Sequence, residues 1–211
     1  MKMASMLLLL AALLLGGCDS NQAVEPGSEQ GPTETETAEA AETAAAKALA
    51  ISDPEYSIMR AAGADRILIF DLRGIAKYEK LSFWTDHYVD GLFKERMLAI
   101  QVGQQLAAPA DEVTRVYLTT VTLEDSKELW TLGVRQGTRG VSSAKFTASN
   151  MTFDSSMNFP LVNEWTETGN DSQALGIIVL DNGKNGMSTS SNVEETIKNY
   201  KDVYVLRFQP E

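Results

Sequence analysis

The chain predicts a mainly β fold, an antiparallel β-sandwich or barrel-like domain with one short helix near the C-terminus. Three observations carry that prediction. From residue 56 onward, apolar runs of strand length alternate with turn residues. Strands do not alternate with long amphipathic helices, which disfavours a parallel doubly wound sheet. No internal repeat of about 20 to 50 residues is visible, so a solenoid or propeller is not indicated.

In chain order, the first element is a leader. Lys2 precedes an unbroken run of 13 apolar or small residues, Met3 to Leu15. That run suits a signal-peptide core and is short for a spanning helix, which needs about 20 apolar residues. Gly16, Gly17 and the chain's single cysteine, Cys18, follow. Leu15-Gly16-Gly17-Cys18 resembles the lipobox of bacterial lipoproteins. The resemblance covers the first 20 or so residues. It implies removal of residues 1–17 and acylation of Cys18 by diacylglycerol and palmitate-type chains. The mature chain would then have 194 residues on the extracytoplasmic face of a bacterial cell membrane. Each buried CH₂ contributes about 0.8 kcal/mol, so two or three chains anchor stably. A lone thiol exposed in an oxidising compartment has no better explanation. With no second cysteine, an internal disulfide and a Cys metal cluster are both excluded. Asp19 resembles an inner-membrane retention signal of two-membrane bacteria and carries no meaning in one-membrane envelopes.

Residues 18–55 read as an acidic, disordered tether. The segment is rich in Glu, Thr, Ala, Pro and Gly and contains no aromatic residue. Nine acidic side chains against Lys47 give it −8, which leaves −4 for residues 57–211 once Lys2 is counted in the total of −11. Such a composition buries too little apolar surface to offset its ordering entropy, and its charges extend it away from anionic lipid. Ala, Glu and Lys over Glu39 to Ala50 permit a marginal helix, which Asp53-Pro54 would end.

Residues 56–211 have the length of one domain. The expected strands are RILIFDLRG (66–74), YEKLSFWTDHYVDG (78–91), LFKERMLAIQVG (92–103), EVTRVYLTTVTLED (112–125), KELWTLGVRQG (127–137), AKFTASNMTF (144–153), ALGIIVLDNG (174–183) and DVYVLRFQ (202–209). Asp90-Gly91 is a hairpin signal, because glycine supplies φ > 0 at little cost. Asn192 with Glu194 and Glu195 reads as a capped helix start, running from Val193 to about Asn199 with Val193, Ile197 and Tyr200 on one side. The FWTDHYVDG and terminal YVLRF segments resemble the small domains of uncharacterised lipoproteins of Gram-positive bacteria. That resemblance spans about 130 residues and implies an extracellular β domain without implying an activity.

Candidate chemistry is sparse. His87 is the only histidine, so a histidine-rich metal site is excluded by count. Its sequence neighbour Asp86 points to the opposite face of a strand and cannot orient it as a base, and Asp90 has the same fault. Ser142-Ser143-Ala144-Lys145 has the S-x-x-K spacing of penicillin-recognising enzymes, and Lys184-Asn185-Gly186 is near their K-T-G. Their serine starts a helix, whereas this segment reads as strand, and the domain is far too small. Asp181 to Gly186 (DNGKNG) fails the EF-hand pattern at positions 3 and 12, leaving a turn or a weaker calcium site of Asp181, Asn182 and Asn185. Trp84 and Tyr88 lie four apart on a strand and share a face, which is either core or a binding surface. Pairs of acids are too numerous in the domain to single one out for glycosidase work. The negative charge and lack of a basic stripe disfavour nucleic acid. The sequence therefore points to a non-catalytic binding domain held at the membrane through Cys18, without cofactor or metal, its partner an envelope protein or a small ligand. The alternative is a small cell-envelope hydrolase using a carboxylate or serine.

Overall fold

The computed structural model describes residues 44–103, 112–149, 152–162, 171–183, 186–188 and 190–211. Cys18, Lys184 and Asn185 lie outside them. Two antiparallel five-stranded sheets are stacked face to face and do not close into a barrel. The first sheet is ordered β1-β2-β5-β6-β7, with β1 Ala45–Ala48, β2 Arg66–Arg73, β5 Thr114–Leu123, β6 Lys127–Gln136 and β7 Val141–Ala148. The second is ordered β4-β3-β10-β9-β8, with β3 Lys80–Val89, β4 Leu92–Gly103, β8 Ser155–Pro160, β9 Gln173–Asp181 and β10 Asp202–Pro210. Helices α1 (Pro54–Ala61) and α2 (Val193–Asn199) complete it. No helix among the described residues is long and apolar enough to cross a membrane.

The period-2 alternation of each strand sorts its side chains. Leu68, Phe70 and Leu72 of β2, Leu118 of β5 and Trp130 and Leu132 of β6 meet Leu81 and Phe83 of β3, Ile178 of β9 and Leu206 and Phe208 of β10 in the interior. β2, β9 and β10 are apolar on both faces because helices cover their outer sides. Tyr56 and Met59 of α1 pack on Ile67 and Ile69. Ile197 of α2 packs with Val203 and Val205. That double burial is why these three strands read as nearly continuous apolar runs. Gly176 of β9 lies where the other sheet's side chains press close, since a Cβ there would stand 2.9 Å from Phe70 Cζ and 3.0 Å from Leu68 Cδ1.

The Asp90-Gly91 turn forms as expected. Val89 pairs with Leu92, and both turn residues have positive φ, 50° and 82°. This is the two-residue geometry that matches strand twist. α2 also starts where its cap lies, with Asn192 Oδ1 accepting from Glu195 N at 3.1 Å.

The N-terminal boundary of the domain needs correction. The tether was expected to run through residue 55, with marginal helix at its Ala-rich end. Instead Ala45 to Ala48 pair with Arg73 to Phe70 of β2, and Ala44 and Ala46 are fully buried. Alanine is the best intrinsic helix former, but propensity amounts to less than about 1 kcal/mol per residue, and the free edge of β2 with an interior to fill outweighs it. Asp53-Pro54 is a helix start rather than a stop: Asp53 Oδ1 accepts from Glu55 N at 2.9 Å, and Pro54 occupies the first turn. The strand expected at 144–153 runs earlier, Val141–Ala148. β8, with the unpromising sequence SSMNFP, was not anticipated; it is an edge strand on β9, where a terminal proline is tolerated.

Candidate functional site

A groove runs along the outer face of the first sheet. It exists because α1 is only eight residues long and covers the β2 side of that face, leaving β5, β6 and β7 open. Ile58, Met59 and Ala62 line the helix wall, Tyr117 and Val121 the floor on β5, and Val141 the opposite wall on β7. Gly133 of β6 has no side chain to fill the floor; a Cβ there would meet only Tyr117 and Val141 atoms at 3.7 Å. The groove encloses about 530 Å³. Ile58 and Val141, on opposite walls, are 67% and 60% exposed.

A charged cluster closes one end of the groove. Asp71 Oδ2 accepts from Arg115 Nη2 at 2.8 Å, and Glu55 accepts from Arg115 Nη1. The Asp71 hydrogen bond, with Glu55 adding to it, pushes Arg115 above the ordinary guanidinium range despite its burial. Arg135 Nη2 lies 3.5 Å from Glu55 Oε1. Burial, then the charge of Glu55, pushes the Tyr117 phenol upward, so it stays neutral beside the groove.

Trp84 and Tyr88 share the outer face of the second sheet, as their spacing predicts, but that face is covered. Trp84 is 5% exposed, and the Arg96 guanidinium lies 4.2 Å above its ring. Arg96 is in turn held by Asp86 Oδ1 at 3.1 Å, while Arg207 takes Asp86 Oδ2 at 2.8 Å. Tyr88 is half-buried, edge-on to Phe93 at 5.7 Å and packed beside Ile197. The pair forms packed structure rather than an open aromatic surface.

His87 faces the interior and is buried. Its partner is not Asp86 or Asp90 but Asp202, 115 residues away in sequence, with Nε2 3.0 Å from Oδ1. Nδ1 lies 3.7 Å from Glu95 Oε1. Carboxylates thus face both ring nitrogens, and neither is presented to a nucleophile. Of the proposed calcium ligands, Asp181 Oδ1 accepts from Asn182 N at 3.0 Å and Asn182 Oδ1 from Asp154 N at 3.1 Å, so these oxygens brace the β8–β9 end. Among the described residues no group of three or more His, Cys, Asp or Glu side chains is placed to hold a metal ion. Ser142 and Lys145 lie in strand β7, where residues three apart point to opposite faces, so the S-x-x-K spacing brings nothing together.

The groove was not legible in the sequence, because no helix is expected at the start of the domain, where its wall residues Ile58, Met59 and Ala62 lie. Alternation along β5 and β6 was its only available signal. Compared with known proteins, the chain is matched over residues 45–210 by a family model described as the YgaN domain. No curated protein and no solved structure matches it.

Proposed function

The chain belongs to the YgaN domain family, and from that premise we propose that it is a lipid-anchored, extracytoplasmic binding module that seats a small apolar ligand between α1 and β7. The observation that carries this reading is the apolar groove. Its volume of about 530 Å³ falls in the range of small-molecule sites, about 300–1,000 Å³. Its walls present Ile58 and Val141 to solvent, a standing cost that an apolar ligand relieves. Glu55 and Arg135 neutralise one another at the rim, so the ligand is selected by apolar area rather than by net charge. Among the described residues lining the groove, no side chains are arranged as a nucleophile–base pair, which favours binding over hydrolysis.

Anchoring rests on the Leu15-Gly16-Gly17-Cys18 resemblance, with the acylated Cys18 holding the domain at the membrane through the acidic segment that follows. Cys18→Ala should accumulate as an unprocessed, poorly retained precursor; normal processing and membrane retention of that variant would remove the anchor from the account. For the groove, an environment-sensitive apolar fluorophore should bind the wild-type domain saturably. Gly133→Leu, which fills the floor where a Cβ has room, should abolish that binding without changing the unfolding midpoint. Undiminished binding by a folded Gly133→Leu protein would overturn the assignment.

A further inference from the structure

A second recess, polar and separate from the groove, lies at the end of the interior marked by the Asp90-Gly91 turn. It encloses about 190 Å³. Its back is Tyr204 of β10, 4% exposed and held between two rings. The His87 imidazole stacks on one side at 4.1 Å and 9°, and the Trp130 indole on the other at 4.3 Å. The phenol ring therefore cannot turn away. Tyr204 lines the recess, and its hydroxyl is not one of the sealed, partnerless polar atoms of the core. Burial, then the charges of Asp202, Glu128 and Glu95, push this phenol above its ordinary range, so it remains a proton donor.

The remaining lining is rich in donors. Lys94 and Lys201 line the recess, and neither has an ion-pair partner among the described residues. Ser149 and Thr152 add hydroxyls. Asn182 spends its carbonyl on Asp154 N, which leaves its amide N–H groups to donate. The one carboxylate in the lining, Asp202, already has His87 on Oδ1 at 3.0 Å. Two lysines without an ion pair among the described residues, the phenol and three neutral donor side chains thus line one small recess.

We propose that this recess binds a small oxyanion, a carboxylate or a phosphate, between Lys94 and Lys201 with the Tyr204 hydroxyl donating from behind. Charge-assisted hydrogen bonds from ammonium groups to such oxygens are the stronger class, and the partly open setting makes them sensitive to salt. The recess is independent of the apolar groove, so the two assignments stand or fall separately.

The test is titration of the ¹⁵N-labelled domain with inorganic phosphate and, separately, acetate, against chloride at matched ionic strength. Saturable shifts should centre on residues 149, 182, 201 and 204 with at least one of the two oxyanions. Phosphate alone would mark a phosphoryl ligand and acetate alone a carboxylate. Lys201→Gln and Lys94→Gln, both at exposed positions, should each weaken binding about tenfold, the loss expected of one charged hydrogen bond. Tyr204→Phe keeps the ring stack and should weaken binding severalfold while leaving the unfolding midpoint unchanged or raised. Shifts that do not saturate, that chloride reproduces, or that survive both lysine substitutions at full affinity would overturn the proposal.

Discussion

Replacing Glu128 with leucine removes one half of an ion pair buried between the sheets. Arg66 Nη1 donates to both Glu128 oxygens, at 2.9 and 3.0 Å, and also to Thr120 Oγ1 at 2.9 Å. The two side chains are only 6% and 2% exposed. Arg66 Nε is already buried without a partner, and its guanidinium sits 4.7 Å from the Phe153 ring centroid. Without Glu128 the cation keeps, among the described residues, a single neutral acceptor, Thr120. An uncompensated buried charge costs about 3–5 kcal/mol, and the existing orphan at Nε places this case at the upper end. Arg66→Met together with Glu128→Leu removes both charges, and such paired replacement is often neutral or stabilising. The double variant should lie within about 1 kcal/mol of wild type or above it, whereas each single variant is severely destabilised. Thr120→Val leaves the ion pair intact and should cost about 1 kcal/mol, a single neutral hydrogen bond. Equilibrium urea unfolding followed by tryptophan fluorescence measures all four, with Trp130 buried in the same core as a reporter. The reasoning fails if Glu128→Leu costs less than about 1 kcal/mol, or if the double variant loses the sum of the two single losses.

Three further outcomes follow from the packing. Gly176→Ala should destabilise by about 1–3 kcal/mol in thermal or urea unfolding, because its Cβ is driven against Phe70 and Leu68 where the sheets meet. Trp84→Ala should cost about 3–5 kcal/mol, as expected of a buried indole, while Tyr88→Ala, being half-buried, should cost clearly less; equal small losses would restore the open aromatic face. Tyr56, Tyr117 and Tyr204 all have phenols raised in the folded state, chiefly by burial. Their contribution is whole below the unfolded phenol value of about 10 and is lost as pH rises through the higher folded values. Stability should therefore fall above about pH 10, and Tyr204→Phe should flatten that fall in pH-dependent urea unfolding.

What the sequence revealed and concealed follows from where the determining contacts lie. β2, β9 and β10 were legible because burial on both faces leaves an unbroken apolar run. The Asp90-Gly91 turn and the α2 cap were legible because their chemistry is local. β1 was not, since AAKA becomes a strand only beside the edge of β2. α1 was hidden by a proline that ends a helix as readily as it begins one. β8 has no strand composition and is defined by its partner. The shared face of Trp84 and Tyr88 was legible, but the arginines that cover it are brought there by β4 and β10. His87 was correctly set apart from Asp86, yet its real partner, Asp202, belongs to a strand 115 residues away. Both recesses are products of this long-range pairing: the groove needs α1 opposite β7, and the polar recess needs Lys94 of β4, Asn182 just after β9 and Lys201 just before β10.

Methyl-labelled NMR of the domain titrated with a small apolar ligand tests most directly the proposed seating of such a ligand in the groove between α1 and β7. Shifts should saturate and concentrate on Ile58, Met59, Val121 and Val141, with the methyl groups around Trp84 and Ile197 unmoved. Saturable shifts centred elsewhere, or none at those four residues up to the ligand's solubility, would contradict it.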